Sequence, residues 1–193
     1  MMMELSNESF DSRFYDWTTH RWGKSISLDA FFVAAARWTP IVMLSVITLA
    51  ATGFAWNARV SGSALIPAVT SIAAAMLARM LNEPITRLAN RPRPFEQSVV
   101  PPLLGHDEGG SFPSNHATGA FALAFGFFPH EPYVTFYFVI LLILALLLAA
   151  ARVYAGLHYL TDVLVGSVNG AIVALLVSPL IHAVFTTVVH VVY

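Results

Sequence analysis

Three short strings in this sequence hold residue types that can do chemistry together: Arg91-Pro92-Arg93-Pro94, Pro113-Ser114-Asn115-His116, and Arg152 followed by His158 and Asp162. Arginine offers a planar fork that pairs with two phosphate oxygens and stays charged. Histidine can attack an electrophile or move a proton, and a carboxylate can hold an imidazole in one tautomer. The combination describes an anion site, phosphate first, with a histidine nucleophile.

The background makes these residues costly. Charged residues are only 11% of the chain, and four of its ten Lys and Arg residues (Arg87, Arg91, Arg93 and Arg152) lie in or beside the strings. Arg152 closes an apolar run in which a lipid-facing arginine would cost roughly 2.5–3.5 kcal/mol. Arg93, between two prolines, has a restricted backbone. Arg59 and Arg79 read instead as snorkelling side chains that anchor helix ends.

Pro113-Ser114-Asn115-His116 opens an apolar helical run, and a helix N-terminus presents unpaired amides to an anion. Ser114 is expected to cap that helix, and the backbone N–H groups that follow it to bind phosphate oxygens. His116 then faces the same anion from the first turn. His158 and Asp162, four residues apart, are expected to share a helix face, with Asp162 holding one imidazole nitrogen directly. Two other readings compete. The His158–Asp162 pair also suits a purely structural helix end, and His116, His158, Asp162, Asp107 and Glu108 could surround a divalent ion. Converging arginines repel a cation, so the preferred reading needs no metal and no other cofactor.

These residues must be positioned by membrane helices. Hydrophobic residues make up 57% of the 193 and the mean hydropathy is +0.69, above an ordinary soluble domain. There is no cysteine, hence no thiolate chemistry. The net charge of −1 and the lack of any nucleic-acid motif exclude a nucleic-acid partner. Residues 1–27 hold no apolar h-region, so a span is expected to direct insertion. The pattern predicts an all-α integral membrane protein, residues 1–193 forming a single domain. An interfacial amphipathic helix over 8–22 carries Phe10, Phe14 and Trp17 on one face. About five crossings follow: the second half of Leu28–Trp56, with an N-cap at Ser27 or Asp29; Ser63–Leu81; Ser114–Phe128, which is short; Tyr133–Ala151; and Tyr159–Val192 as one helix kinked near Pro179. The first string follows span two, the second precedes span three, and the third joins spans four and five. All three therefore fall on one membrane face.

At this point the sequence resembles the membrane branch of the type 2 phosphatidic acid phosphatase superfamily. Arg93-Pro94, Pro113-Ser114-x-His116 and Arg152-x5-His158-x3-Asp162 match its three motifs in order and internal spacing, with all the motifs within 82–162. It departs where the family lysine falls on Thr86, with Arg87 adjacent, where Asn115 replaces a glycine and where Ala151 replaces a serine. Arg93-Pro94-Phe95 and Phe112 to His116 look like the small bacterial undecaprenyl-diphosphatases of the bacitracin-resistance type. The resemblance implies that His158 attacks phosphorus to give a phosphohistidine, Asp162 orients it, and His116 protonates the leaving oxygen. It also implies that Arg93, Arg152, Arg87 and the Ser114 and Asn115 amides hold the phosphate oxygens. The implied substrate is a lipid (pyro)phosphate in the bilayer, undecaprenyl diphosphate before phosphatidylglycerophosphate, phosphatidic acid or diacylglycerol pyrophosphate. An anion-binding or transport protein is the non-enzyme alternative, and it leaves the His158–Asp162 pair without a task. The implied place is the plasma membrane with an outward-facing site. Arg13, Arg21 and Lys24 argue the other way, since the positive-inside tendency would put the N-terminus, and with five spans the site, in the cytoplasm.

Overall fold

The computed structural model describes residues 9–53, 61–105, 109–128 and 132–192. Among them it has six α-helices: α1 (Phe10–Thr19), α2 (Ile26–Thr52), α3 (Ser61–Ala89), α4 (Asn115–Phe125), α5 (Pro132–Tyr154) and α6 (Leu160–Val192). A single 3₁₀ turn, Pro94–Glu96, interrupts the long connection between α3 and α4.

Ser9 caps α1 by accepting from the Ser12 amide. The face that α1 turns inward is polar: Asp11, Tyr15 and Thr18 are buried. Phe10 and Trp17 point outward, 59% and 51% exposed, with Phe14 touching both rings. The helix thus docks on its own protein through hydrogen-bonding groups and offers aromatic rings to an interface. Glu8, the expected first residue, lies outside the described residues.

Ser25, not Ser27 or Asp29, caps α2. Asp29 is otherwise engaged, accepting from the Gly23 amide and the Tyr154 hydroxyl, both at 2.7 Å, which pins the α1–α2 turn to the end of α5. Helix α2 passes through Pro40 and stops at Gly53, whose φ of +65° suits glycine, so it does not reach Trp56, which lies outside the described residues. Helix α3 runs past the expected end at Leu81 through Pro84 to Ala89.

Among the described residues four stretches are long and apolar enough to cross a membrane: Ile26–Thr52, Ala64–Glu96, Val134–Tyr154 and Leu160–Thr187. The 11 residues of α4 extend about 16 Å, short of the roughly 30 Å hydrocarbon layer. The expected fifth crossing is not matched in length, yet the chain does change ends along α4. Its first turn packs Ala117 against Ala149 and Val153 near the end of α5. Past its last turn, Phe128 meets Phe138 near the start of α5. The three strings consequently meet at one end of the bundle, and α1 docks at that same end. Helix α6 continues unbroken through Pro179, as one helix.

Small residues let α4 sit at the centre. A Cβ on Gly166 would stand 2.6 Å from the Ser114 carbonyl oxygen, and one on Gly170 would stand 2.1 Å from that of Thr118. This Gly166-x3-Gly170 pair brings α6 against α4 backbone to backbone. The obstacle is main chain and cannot rotate aside. Gly170→Val is therefore expected to cost about 3 kcal/mol, the upper end of overpacking effects, read as a lowered unfolding temperature in detergent. Large apolar side chains such as Leu44, Met76, Ile143 and Leu176 remain exposed around the outside, the pattern a lipid-facing surface requires.

Candidate active site

Asp162 lies on the first turn of α6 and is fully buried. One carboxylate oxygen accepts from Arg91 Nη1 at 2.6 Å. The other accepts from the Ser111 hydroxyl and, at 2.9 Å, from the Tyr159 amide just before the helix. The second contact caps α6 from within, and it explains why His158 is not helical: His158 sits in the turn before the capped residue. The expected direct pairing is corrected accordingly. His158 Nδ1 stands 3.9 Å from Asp162 and 2.8 Å from the Ser111 carbonyl. Ser111 joins them, its hydroxyl on the carboxylate and its carbonyl on the imidazole.

A carbonyl only accepts, so Nδ1 carries the proton and Nε2 presents its lone pair. Nε2 lies 3.2 Å from Arg93 Nη1. His158 is 3% exposed, and its burial, followed by the charges of Arg93 and Arg152, drives its pKa well below 6.5. The neutral imidazole is favoured, with its unprotonated nitrogen facing Arg93.

Arg93 is aimed by carbonyls rather than carboxylates. Its guanidinium donates to Gly109 at 2.9 Å, Leu157 at 3.0 Å and Gly110 at 3.4 Å. Arg152 is 3% exposed, and among the described residues its Nε and Nη2 find no hydrogen-bond partner; Thr86 Oγ1 is likewise buried without one there. Unsatisfied buried donors are costly, roughly 1–3 kcal/mol each and more when charged, and here the Arg152 guanidinium lies near the His158 imidazole. These buried donors are suited to hold an anion.

Ser114 caps α4 as expected, its hydroxyl accepting from the Ala117 amide. Its own amide does not face an anion: it donates to the Asp162 carbonyl at 3.0 Å. That correction follows from the close approach of α6 at Gly166. Asn115 accepts at Oδ1 from Asn82, and with His116 it lines an adjoining groove. Arg87 is not brought to the site. Its side chain is 76% exposed and bound at 2.9 Å to Glu83, one turn earlier. One residue on a helix turns a side chain by about 100°, so Thr86 points in and Arg87 out. Asp107 and Glu108 lie outside the described residues, and among those described no three His, Asp or Glu side chains group to hold a metal ion.

Several members escaped the sequence reading. Arg91 does not point at a phosphate: it bridges Asp162 to Asp11 of α1, 2.7 Å away, and covers the Tyr159 ring. Burial alone would raise the Asp11 pKa, but hydrogen bonds from Arg91 and Thr161 outweigh it and hold it below the usual value. Asn169 donates to Asn82 at 2.6 Å, and Asn82 donates onward to Thr118 and Asn115, a polar ladder that fixes the start of α4. Asparagine inside an apolar span was the available signal for both.

The site can hold an anion with buried arginines, attack it with a neutral histidine and reach a second histidine beside an apolar groove. The family model described as the PAP2 superfamily matches residues 64–185. The chain is 33% identical over 146 residues to undecaprenyl-diphosphatase BcrC of Bacillus subtilis, covering 76% of this chain and 70% of that protein. It is 31% identical over 107 residues to phosphatidylglycerophosphatase B of the same organism, covering 51% and 50%. Two solved structures share the fold, each with a TM-score of 0.66. One is a transmembrane PAP2-type phosphatidylglycerolphosphate phosphatase from Bacillus subtilis, 21% identical, covering 88% of this chain and 83% of that one. The other is Aquifex aeolicus LpxE, 23% identical, covering 91% and 98%.

Proposed function

We propose, since this chain belongs to the PAP2 superfamily and is a membrane phosphoric-ester hydrolase, that it removes the terminal phosphate of a lipid diphosphate, undecaprenyl diphosphate first. The observation that carries the reading is the pair of unpartnered Arg152 nitrogens beside the neutral His158 imidazole. A terminal phosphoryl group supplies acceptors for these donors and an electrophile in one ligand. The relative of 33% identity supports a diphosphate substrate, whereas the phosphatidylglycerophosphatase relative supports the second reading, a glycerophospholipid phosphate.

In this mechanism His158 Nε2 attacks the terminal phosphorus. The bond to the leaving oxygen breaks as His116 supplies that oxygen with a proton, and the phosphoryl group rests on His158. His116 then takes a proton from water, the water oxygen attacks phosphorus, and inorganic phosphate leaves with the nitrogen restored. Arg93, Arg152 and the Asn115 amide hold the equatorial oxygens as charge builds. The Arg93 and Arg152 guanidinium groups take the charge-neutralising part that a metal ion would otherwise play. In this reading the site faces outward from the plasma membrane, and a cytoplasmic C-terminus in reporter fusions would agree with that under a five-crossing path.

The deciding experiment is phosphate release by the purified protein in detergent from undecaprenyl diphosphate, phosphatidylglycerophosphate and phosphatidic acid. The reading expects the highest kcat/KM on the diphosphate, and preference for either glycerolipid would overturn that choice. Release should persist in EDTA, with less than about a twofold change, because the phosphate charge is met by arginine. Restoration by an added divalent ion would bring back the metal reading.

A further inference from the structure

The groove that begins at His116 has a volume of about 260 Å³ and lies among α2, α3, α4 and α5. Met43, Met76 and Leu123 represent its apolar lining; Asn115, His116 and Arg79 are its polar members. Arg79 is the one arginine in that lining, and it belongs to none of the three strings. It shares a face of α3 with Thr86, seven residues and two turns on. Glu83, the carboxylate one turn from Arg79, is already held by Arg87. Among the described residues Arg79 makes no salt bridge, although it stands on a helix otherwise fit to cross a membrane. Arg79 is exposed, as a snorkelling side chain is, yet it also borders the groove that holds His116, where it presents a positive charge to whatever occupies that groove.

We propose that Arg79 binds the second phosphate of a lipid diphosphate and so selects diphosphates over monophosphates. The inference rests on the functional reading above, in which His116 protonates the leaving oxygen. The groove containing His116 is then where the leaving group lies. When a lipid monophosphate is cleaved, the leaving group is a neutral alcohol and brings Arg79 no charge. When a lipid diphosphate is cleaved, the leaving group is itself a phosphate ester whose negative charge grows as the bond breaks. An arginine on that side stabilises this transition state selectively, while the apolar lining takes the hydrocarbon chain.

The test is steady-state phosphate release by the full chain in detergent from a polyprenyl diphosphate and from the polyprenyl monophosphate of the same length. Arg79→Gln should lower kcat/KM on the diphosphate roughly 10- to 100-fold, as loss of a charged hydrogen bond does. The loss on the monophosphate should be at least tenfold smaller. Arg79→Lys, which keeps the charge, should retain most of the preference, and it reports on the same ratio if the glutamine variant is not recovered folded. Equal losses on both substrates, no loss on either, or a lysine variant with no preference left would overturn the role of Arg79 alone. A wild-type protein that releases phosphate from neither substrate would overturn the functional reading, and this inference with it.

Discussion

Replacing His158 with alanine should lower phosphate release by about 10⁴-fold or more while leaving the protein folded in the membrane, because the proposed mechanism passes the phosphoryl group through this imidazole. His158 Nδ1 is committed to the Ser111 carbonyl and Nε2 faces Arg93, so the imidazole is aimed as well as neutral. Glutamine at the same position would keep a polar group near Arg93 and still lack a nucleophilic nitrogen, so it should be equally inactive. An active His158→Gln protein would show that the histidine only shapes the pocket. Trapping offers a second readout: brief incubation with substrate labelled in the terminal phosphate should leave acid-labile label on the wild-type chain and none on the alanine variant.

The buried imidazole also predicts a pH effect on stability. Its folded pKa lies well below the ordinary 6.5, so between the two values the unfolded chain binds a proton that the folded chain refuses. Stability from this group is complete above pH 6.5 and declines as pH falls below it, with a slope of up to about 1.4 kcal/mol per pH unit. His158→Ala should flatten that decline. Asp11 works at lower pH: its depressed pKa contributes stability above 3.8 that is lost on further acidification. Unfolding temperatures between pH 7 and pH 5 in wild type and variant separate the two groups.

The convergence of the strings was readable because hydropathy alone orders the ends of spans, and phosphate-binding residues are expensive in such a chain. The all-helical class and the single long last helix were readable for the same reason. What stayed hidden depends on direction. Arg87 and Thr86 are neighbours in sequence, yet the helix points one at solvent and the other at the site, and only the path of α3 beyond Leu81 decides which. Asp11 looked like the polar side of an interfacial helix, whereas its partners Arg91 and Thr161 lie 80 and 150 residues away. No local periodicity encodes such a pairing. Ser111 was invisible because its carbonyl does as much as its hydroxyl, and every residue carries the same backbone carbonyl acceptor. Gly166 and Gly170 carried a readable signal in their four-residue spacing, the mark of close helix approach.

Asp162→Ala should be nearly as damaging as loss of His158, for a different reason. The carboxylate ends three interactions at once: the Arg91 ion pair, the Ser111 hydroxyl bond and the cap on the Tyr159 amide. Removing one partner of a buried ion pair costs about 3–5 kcal/mol, since the other charge stays behind. Arg91 keeps Asp11, which softens that part. Ser111 keeps nothing on its hydroxyl, so its carbonyl can drift from His158 and the tautomer is no longer enforced. Activity should fall about 10²–10³-fold even where the protein remains folded. Ser111→Ala isolates this route. It leaves Asp162, Arg91 and the imidazole in place but cuts the link between carboxylate and loop, and it should lower kcat more than it raises KM. Combining Ser111→Ala with Asp162→Asn should give much less than the product of the two losses on kcat, because both variants break one relay. Fully multiplicative losses would mean that Asp162 acts on His158 by its field across 3.9 Å and that Ser111 is only a neighbour.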